Sequence, residues 1–269
     1  MKTFNGKAIY CPKGKAAEYS QWACNFYVGC SNGCTYCYCK KGILKAVMGM
    51  DKPQLKKCFK DEEHAKEIFD KEMEKNFDEI RKHGLFLSFT TDPFLKETFE
   101  LTMHAINICV QNHIPIKLLT KSNPFDFYDF TKCSDWHKRF TAFGFTLTGY
   151  DELEPNASTN QERIEAMKKL HNTGFKTFAS IEPIIDLPLS FRMICDSNSF
   201  CDLYKIGLQS GKKYDKIELN RFIEGVLRQN EFYEVPIYFK DSLLKQAGID
   251  RINLPETCVD RAYNMFKLF

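Results

Sequence analysis

Apolar positions between 61 and 82 recur three and four residues apart, at Ala65, Ile68, Phe69, Met73, Phe77 and Ile80, with acids and lysines between them. That spacing predicts one amphipathic helix packed on a core, with Asp61 as its N-cap and Gly84 as its stop. A short apolar run at 85–89 then predicts a buried strand. The same alternation repeats along the chain. Helices are expected over 97–112, 159–172 (ending at Gly174) and 216–229, with a short one over 190–195 and a loosely defined helical stretch over 127–138. Strands are expected over 115–119, 140–148, 175–181, 202–208 and 235–239. Upstream, 22–28 reads as a buried strand. Residues 1–21 form an irregular or short-strand lead-in broken by Pro12 and Gly14, and the basic segment 39–50 opens a helix before Pro53.

Short apolar strands alternating with amphipathic helices predict right-handed βαβ units around a parallel sheet. No Ser/Gly/Pro-rich linker interrupts them, so 1–269 is expected to be a single domain with its core at about 22–240. Six or seven units are counted. Periodicity alone does not separate a partial barrel from a complete one or from a doubly wound sheet.

Composition narrows the setting. The chain of 269 residues is 43% hydrophobic and carries 24 Phe, enough for a large aromatic core. A net charge of +3 from interspersed acids and bases does not by itself mark a nucleic-acid binder. No leader-type or membrane-length apolar run is evident, so a soluble cytoplasmic protein without a membrane partner is expected. In a reducing compartment its twelve cysteines would be free thiols or metal ligands.

Three of those cysteines stand close together, in Cys30-Ser-Asn-Gly-Cys34-Thr-Tyr-Cys37. Gly29 and Gly33 allow the tight turns that bring such thiols together. Thiolates so spaced hold zinc or an iron–sulfur cluster. A structural zinc site usually shows two separated Cys/His pairs, and no second pair is evident. Three cysteines on a four-iron cluster leave one iron open for chemistry.

The C-x3-C-x2-C spacing, with Tyr36 before the last cysteine and Asn25-Phe-Tyr-Val-Gly leading in, resembles the radical S-adenosylmethionine (SAM) signature. More narrowly, it resembles the spore photoproduct lyase-like, or "DNA repair photolyase", branch. The resemblance spans roughly 25–208. It implies an α/β partial (β/α)6 TIM-like barrel, a 4Fe-4S cluster on Cys30, Cys34 and Cys37, and SAM bound to the fourth iron. It also implies a reductant such as flavodoxin or ferredoxin, reductive cleavage of SAM to a 5′-deoxyadenosyl radical, and hydrogen abstraction from a substrate.

In parallel barrels the active site lies at the C-terminal strand ends, and the polar residues there are candidates for the cofactor. Thr90, Thr91 and Asp92 are placed to hold the SAM ammonium, or to form a tight turn before Pro93. Lys121 could pair with the SAM carboxylate. Thr146 and Thr148, on one face of a strand, suit the ribose. Tyr36, Arg163 and Glu182 complete the expected cofactor set, with Glu182 alternatively pairing with Lys121 or Arg163. Lys205, Gln209 and Lys240 are candidates for the substrate side. Cys39 is a candidate late hydrogen donor, and with Glu182 and Lys240 makes up the catalytic candidates.

One departure matters. Authentic spore photoproduct lyases are expected to carry a hydrogen-donating cysteine where Phe89 stands here, which argues against repair of the spore thymine lesion. A nucleic acid or nucleotide substrate, a peptide or small metabolite, and a non-enzymatic metal-binding role all stay open at this point.

Overall fold

The computed structural model describes residues 3–266. After a short strand β1 (Ile9–Tyr10), a single 3-10 turn (Gly14–Glu18) leads to β2 (Ala23–Cys24). The expected strand over 22–28 is broken. Tyr27–Val28 (β3) pairs instead with Gln54–Leu55 (β4) in a separate two-stranded ribbon. The break lies at Asn25, whose amide donates to the Tyr10 hydroxyl at 2.8 Å and whose carbonyl accepts from Phe89 N–H at 2.9 Å. Between β3 and β4 the chain makes a 3-10 turn at Tyr38–Lys40 and a short helix α1 (Leu44–Met48), rather than one helix over 39–50.

The predicted helix 61–82 is two helices, α2 (Glu62–Lys75) and α3 (Phe77–His83), capped at Asp61 and stopped at Gly84 as expected. Asn76 separates them by turning its amide onto the Glu72 carbonyl at 2.9 Å, a local bond that competes with the helix ladder. The remaining units follow as β5 (Leu85–Leu87), α4 (Phe99–Gln111), β6 (Ile116–Thr120), α5 (Asp135–Phe140), β7 (Thr141–Thr146), α6 (Asn160–Thr173), β8 (Lys176–Ile184), α7 (Leu187–Ser197), β9 (Tyr204–Leu208), α8 (Lys216–Asn230), β10 (Ile237–Phe239) and α9 (Asp241–Ala247). The stretch 127–138 contains a 3-10 turn and only the start of α5, which begins at Asp135. Helix α9 was not anticipated from the sequence.

Strand order is β1-β2-β5-β6-β7-β8-β9-β10, parallel throughout except for the β1–β2 pair. This is a partial TIM-like (β/α) barrel. One apolar core lies between the sheet and its helices. A second lies inside the barrel, where Tyr19, Phe86, Phe178 and Leu203 meet Met265 and Phe266. Gly144 on β7 leaves room for the Phe178 ring: a Cβ there would stand 2.1 Å from it. Because strand side chains alternate, β8 turns Phe178, Ser180 and Glu182 inward, β9 turns Lys205 and Gly207, and Tyr238 and Lys240 follow at β10. No helix among the described residues is long and apolar enough to cross a membrane.

Candidate active site

The loop from Cys30 to Cys37 follows β3, the offset end of the first strand, and is held from two sides. Cys30 N–H donates to the Met50 carbonyl at 3.1 Å, while Thr35 N–H donates to the Leu153 carbonyl at 3.0 Å. Asn156 adds its amide to the Ser31 carbonyl at 2.9 Å. Gly29 and Gly33 have φ of +84° and +71°, and a Cβ on Gly29 would stand 2.4 Å from the Lys52 carbonyl. Only glycine meets both demands.

All three cysteines are free and face a cavity of about 360 Å³ at the C-terminal ends of the strands. Burial pushes the Cys30 thiol up to about 12 and raises Cys34 as well; a hydrogen bond from Cys39 is the chief cause that brings Cys37 down to about 6. Thiols whose ionisation is opposed by burial become thiolates only beside a cation. Among the described residues no three His, Cys, Asp or Glu side chains are placed to hold a single metal ion. A four-iron cluster asks for something else, one thiolate on each of three irons.

The same cavity is lined by Tyr36, Thr90, Thr91, Asp92, Lys121, Thr146, Glu182, Cys39 and Lys240 from the predicted set. Two orphaned atoms point to a polar ligand: the Thr91 hydroxyl and the Asn32 carbonyl oxygen are buried without a hydrogen-bond partner. Lys121 extends over the Tyr36 ring at 5.7 Å. Burial pulls its ammonium down, but Cys34 and Glu154 outweigh that, and its pKa is raised, so it stays charged. This donor set suits an amino acid head-group and three iron-bound thiolates.

Other predicted residues take supporting positions. Asp92 accepts four hydrogen bonds, from Thr120 Oγ1 at 2.6 Å, Lys121 N–H at 2.7 Å, Asn32 Nδ2 at 2.9 Å and Phe94 N–H at 3.0 Å. It therefore ties three strand ends together. Thr90 donates to the Tyr27 carbonyl at 2.6 Å. Strand β7 ends at Thr146, so Thr148 does not alternate with it; Thr148 is fully buried and its hydroxyl lies 3.3 Å from Glu154. Arg163 is also fully buried and does not line the cavity. Its guanidinium grips Glu154, the Thr146 carbonyl at 2.7 Å and the Ser158 carbonyl at 2.7 Å, and Tyr36 donates its hydroxyl to the same Glu154. Glu182 pairs with Lys240 at 2.8 Å, not with Lys121 or Arg163, because Lys240 leaves the end of β10 on the same inward face.

Sequence reasoning missed the lead-in's contribution. Lys15, Ala16 and Tyr19 form one wall of the cavity. Tyr19 bonds Ser180 at 2.6 Å and Glu182 at 2.8 Å, and Lys205 reaches back to the Glu18 carbonyl at 2.7 Å. Lys205 thus braces the lead-in, with its pKa depressed by burial and by the neighbouring Lys117 and Lys240. No periodicity marks such a segment. Of the remaining substrate-side candidates, Gln209 lines the cavity. Cys39 is buried, its thiol 3.8 Å from the Phe89 carbonyl.

Comparison with known proteins agrees with this geometry. The radical SAM superfamily profile matches residues 24–188, and the chain belongs to that superfamily. It is 25% identical over 237 residues to the uncharacterized protein MJ0683 of Methanocaldococcus jannaschii, covering 80% of this chain and 79% of that one. A spore photoproduct lyase double mutant with bound AdoMet and dinucleoside spore photoproduct superposes with a TM-score of 0.61 at 14% identity, over 82% of this chain and 76% of that one. A single mutant of spore photoproduct lyase gives 0.50 at 14% identity, over 96% of this chain and 67% of that one. The fold is shared with spore photoproduct lyase, and the chain is an enzyme of the radical SAM class, with a 4Fe-4S cluster and SAM as cofactors and a need for a reductant. That sets aside the non-enzymatic reading of the cysteine loop.

Proposed function

We propose that Cys30, Cys34 and Cys37 hold the 4Fe-4S cluster and that the enzyme abstracts hydrogen from a nucleic acid or nucleotide. One observation carries the reading: Cys30, Cys34, Cys37 and the charged Lys121 line one cavity at the strand ends together with Thr91 and Asn32, whose buried hydroxyl and carbonyl oxygen lack hydrogen-bond partners. When bound, the reduced cluster supplies the electron that splits SAM to methionine and the 5′-deoxyadenosyl radical. The chain's own residues bind and orient. Lys121 pairs with the SAM carboxylate, Thr91 and Asn32 receive the polar head, and Thr146 and Tyr36 lie along the remaining wall. Asp92 and Arg163 act one layer behind, by fixing Lys121, Thr146 and, through Glu154, Tyr36. Phe86 and Phe178 fill the barrel below and keep water from the radical. Cys39, beside the Phe89 carbonyl, is the cavity's candidate hydrogen donor.

The substrate assignment rests on the mouth. Lys15, Lys40 and Lys41 all line it, and Phe89 offers a partly exposed ring stacked on Phe86 at 4.5 Å. Cations around an aromatic face suit a phosphate-bearing base. A flavodoxin or ferredoxin as reductant, a cytoplasmic setting that keeps twelve thiols reduced, and a single catalytic domain with its core at 22–240 complete the proposal. The test is label transfer: reconstituted enzyme with SAM and a reductant is given deuterated nucleic acid, peptide and small-metabolite fractions in turn. Deuterium entering 5′-deoxyadenosine from the nucleic-acid or nucleotide fraction supports the reading. Deuterium from the peptide or small-metabolite fraction alone replaces it.

A further inference from the structure

The Glu182–Lys240 pair lies in the cavity, and Glu182, expected with the cofactor set, is instead engaged by Lys240 and Tyr19. Burying two opposite charges is costly unless something uses them. The barrel also makes room for this pair: a Cβ on Gly207, the β9 residue between them, would stand 2.6 Å from Lys240 Cδ and 2.9 Å from Glu182 Cδ. Behind the pair, Lys240 reaches Glu18 at 3.2 Å, while Tyr19 donates to Glu182 at 2.8 Å. The pair is open on one side only. Glu182 keeps 17% of its side chain exposed and Lys240 only 2%.

We propose that this pair, seated over Gly207, is the substrate-reading end of the cavity, and that it takes the lactam edge of a nucleobase. This rests on the nucleotide reading above and names the part of the substrate that is recognised. A carboxylate only accepts and an ammonium only donates. With 2.8 Å between them, a ligand that meets both presents an N–H and a C=O side by side. A trans peptide holds those groups on opposite sides, whereas a ring lactam holds them together. Glu182 accepts three hydrogen bonds, one from Tyr19 and two from Lys240, on about four acceptor sites, which leaves one for the N–H. The 3.4 Å contact from Lys240 to the Lys15 carbonyl is the weak one that a ligand carbonyl displaces. The half-open Phe89 ring supplies a face for the base to stack on.

Equilibrium binding to the reconstituted holoenzyme with SAM tests this, using uridine and guanosine against 3-methyluridine and 1-methylguanosine. The methylated forms lack the lactam N–H and need no variant protein. The expected result is that uridine or guanosine binds about tenfold or more tightly than its methylated form. Glu182→Gln, which keeps the size of the side chain but replaces the charged acceptor by a neutral one, is expected to weaken that preference several-fold while SAM affinity and iron content hold. Gly207→Ala should do the same by displacing the pair. Equal binding of methylated and unmethylated nucleosides overturns the proposal, and so does a Glu182→Gln loss of SAM affinity as large as the loss for the nucleoside. An enzyme that draws deuterium from a nucleotide yet ignores the methylation overturns this assignment and leaves the nucleotide reading standing.

Discussion

Arg163 and Glu154 meet at 2.5 Å, and neither side chain is exposed to solvent. Their contact is the joint between the helix layer and the cysteine loop. Glu154 holds Tyr36 by its hydroxyl, Leu153 holds Thr35 by a backbone bond, and Arg163 also fixes the last carbonyl of β7 at Thr146. An arginine expected to touch the cofactor thus serves the site from behind.

Removing one partner of such a pair leaves an uncompensated charge in the interior. Arg163→Met is expected to lower stability by about 3–5 kcal/mol. Denaturant unfolding measures the loss. Iron content after anaerobic reconstitution should fall with it, because Glu154, which holds Tyr36, loses its charged partner. A change within experimental error would mean that the joint is not structural.

Lys121 has a different role. Its backbone N–H is held by Asp92, while its ammonium extends over Tyr36 into the cavity. Lys121→Met is expected to weaken SAM binding about 10- to 100-fold, the loss of one charge-assisted contact, with iron content unchanged. Equilibrium dialysis with labelled SAM gives the answer, and Lys121→Arg should recover part of the affinity.

The barrel interior carries a pH signature. Burial lowers the Lys117 ammonium to about 8, and its Nζ donates to the Tyr19 carbonyl at 3.2 Å. A lysine whose folded pKa lies below its unfolded value of about 10.4 destabilises the fold while both states are protonated, below about pH 8. Between about pH 8 and 10 the unfolded chain binds more protons than the native one, so this cost is relieved as pH rises. Other buried thiols and phenols titrate in the opposite sense, so the comparison is with Lys117→Met. Relative to that variant, wild type should gain stability from pH 8 to 10 in denaturant melts. A constant difference would contradict the assignment.

Packing at the barrel's centre offers a test independent of the cofactors. A methyl group on Gly144 has no space beside the Phe178 ring. Gly144→Ala should cost about 1–3 kcal/mol, the range for overpacking a well-filled core. Adding Phe178→Leu should return part of it, and a thermal-melt double-mutant cycle measures the coupling.

Sequence periodicity located the main helices because each has one wet and one dry face, and the parallel strands because they are short apolar runs buried on both faces. It failed where a single side chain overrules the period. Asn25 splits a strand and Asn76 splits a helix, each through a bond to neighbouring backbone or side chain that no hydrophobic pattern records. Strand parity was enough to turn Thr146 and Glu182 inward, but Thr148 falls past the strand end, where parity no longer applies. The cysteine loop was legible from spacing. The wall made by Lys15 and Tyr19 was not, since it comes from an irregular segment placed by bonds to residues some 160 to 220 positions away. Lys240 and Glu182 are separate candidates in the sequence; their pairing across Gly207 emerges from the fold.

The most direct test of the account is reductive cleavage of SAM by the anaerobically reconstituted protein and its cysteine variants. Wild type is expected to bind about four irons and to form 5′-deoxyadenosine when reduced. Alanine at Cys30, Cys34 or Cys37 should each abolish that product, while alanine at Cys109, buried in the outer core, should leave the cluster in place. Tightly bound zinc with intact SAM, or undiminished cleavage after replacing any one of the three cysteines, would contradict the account.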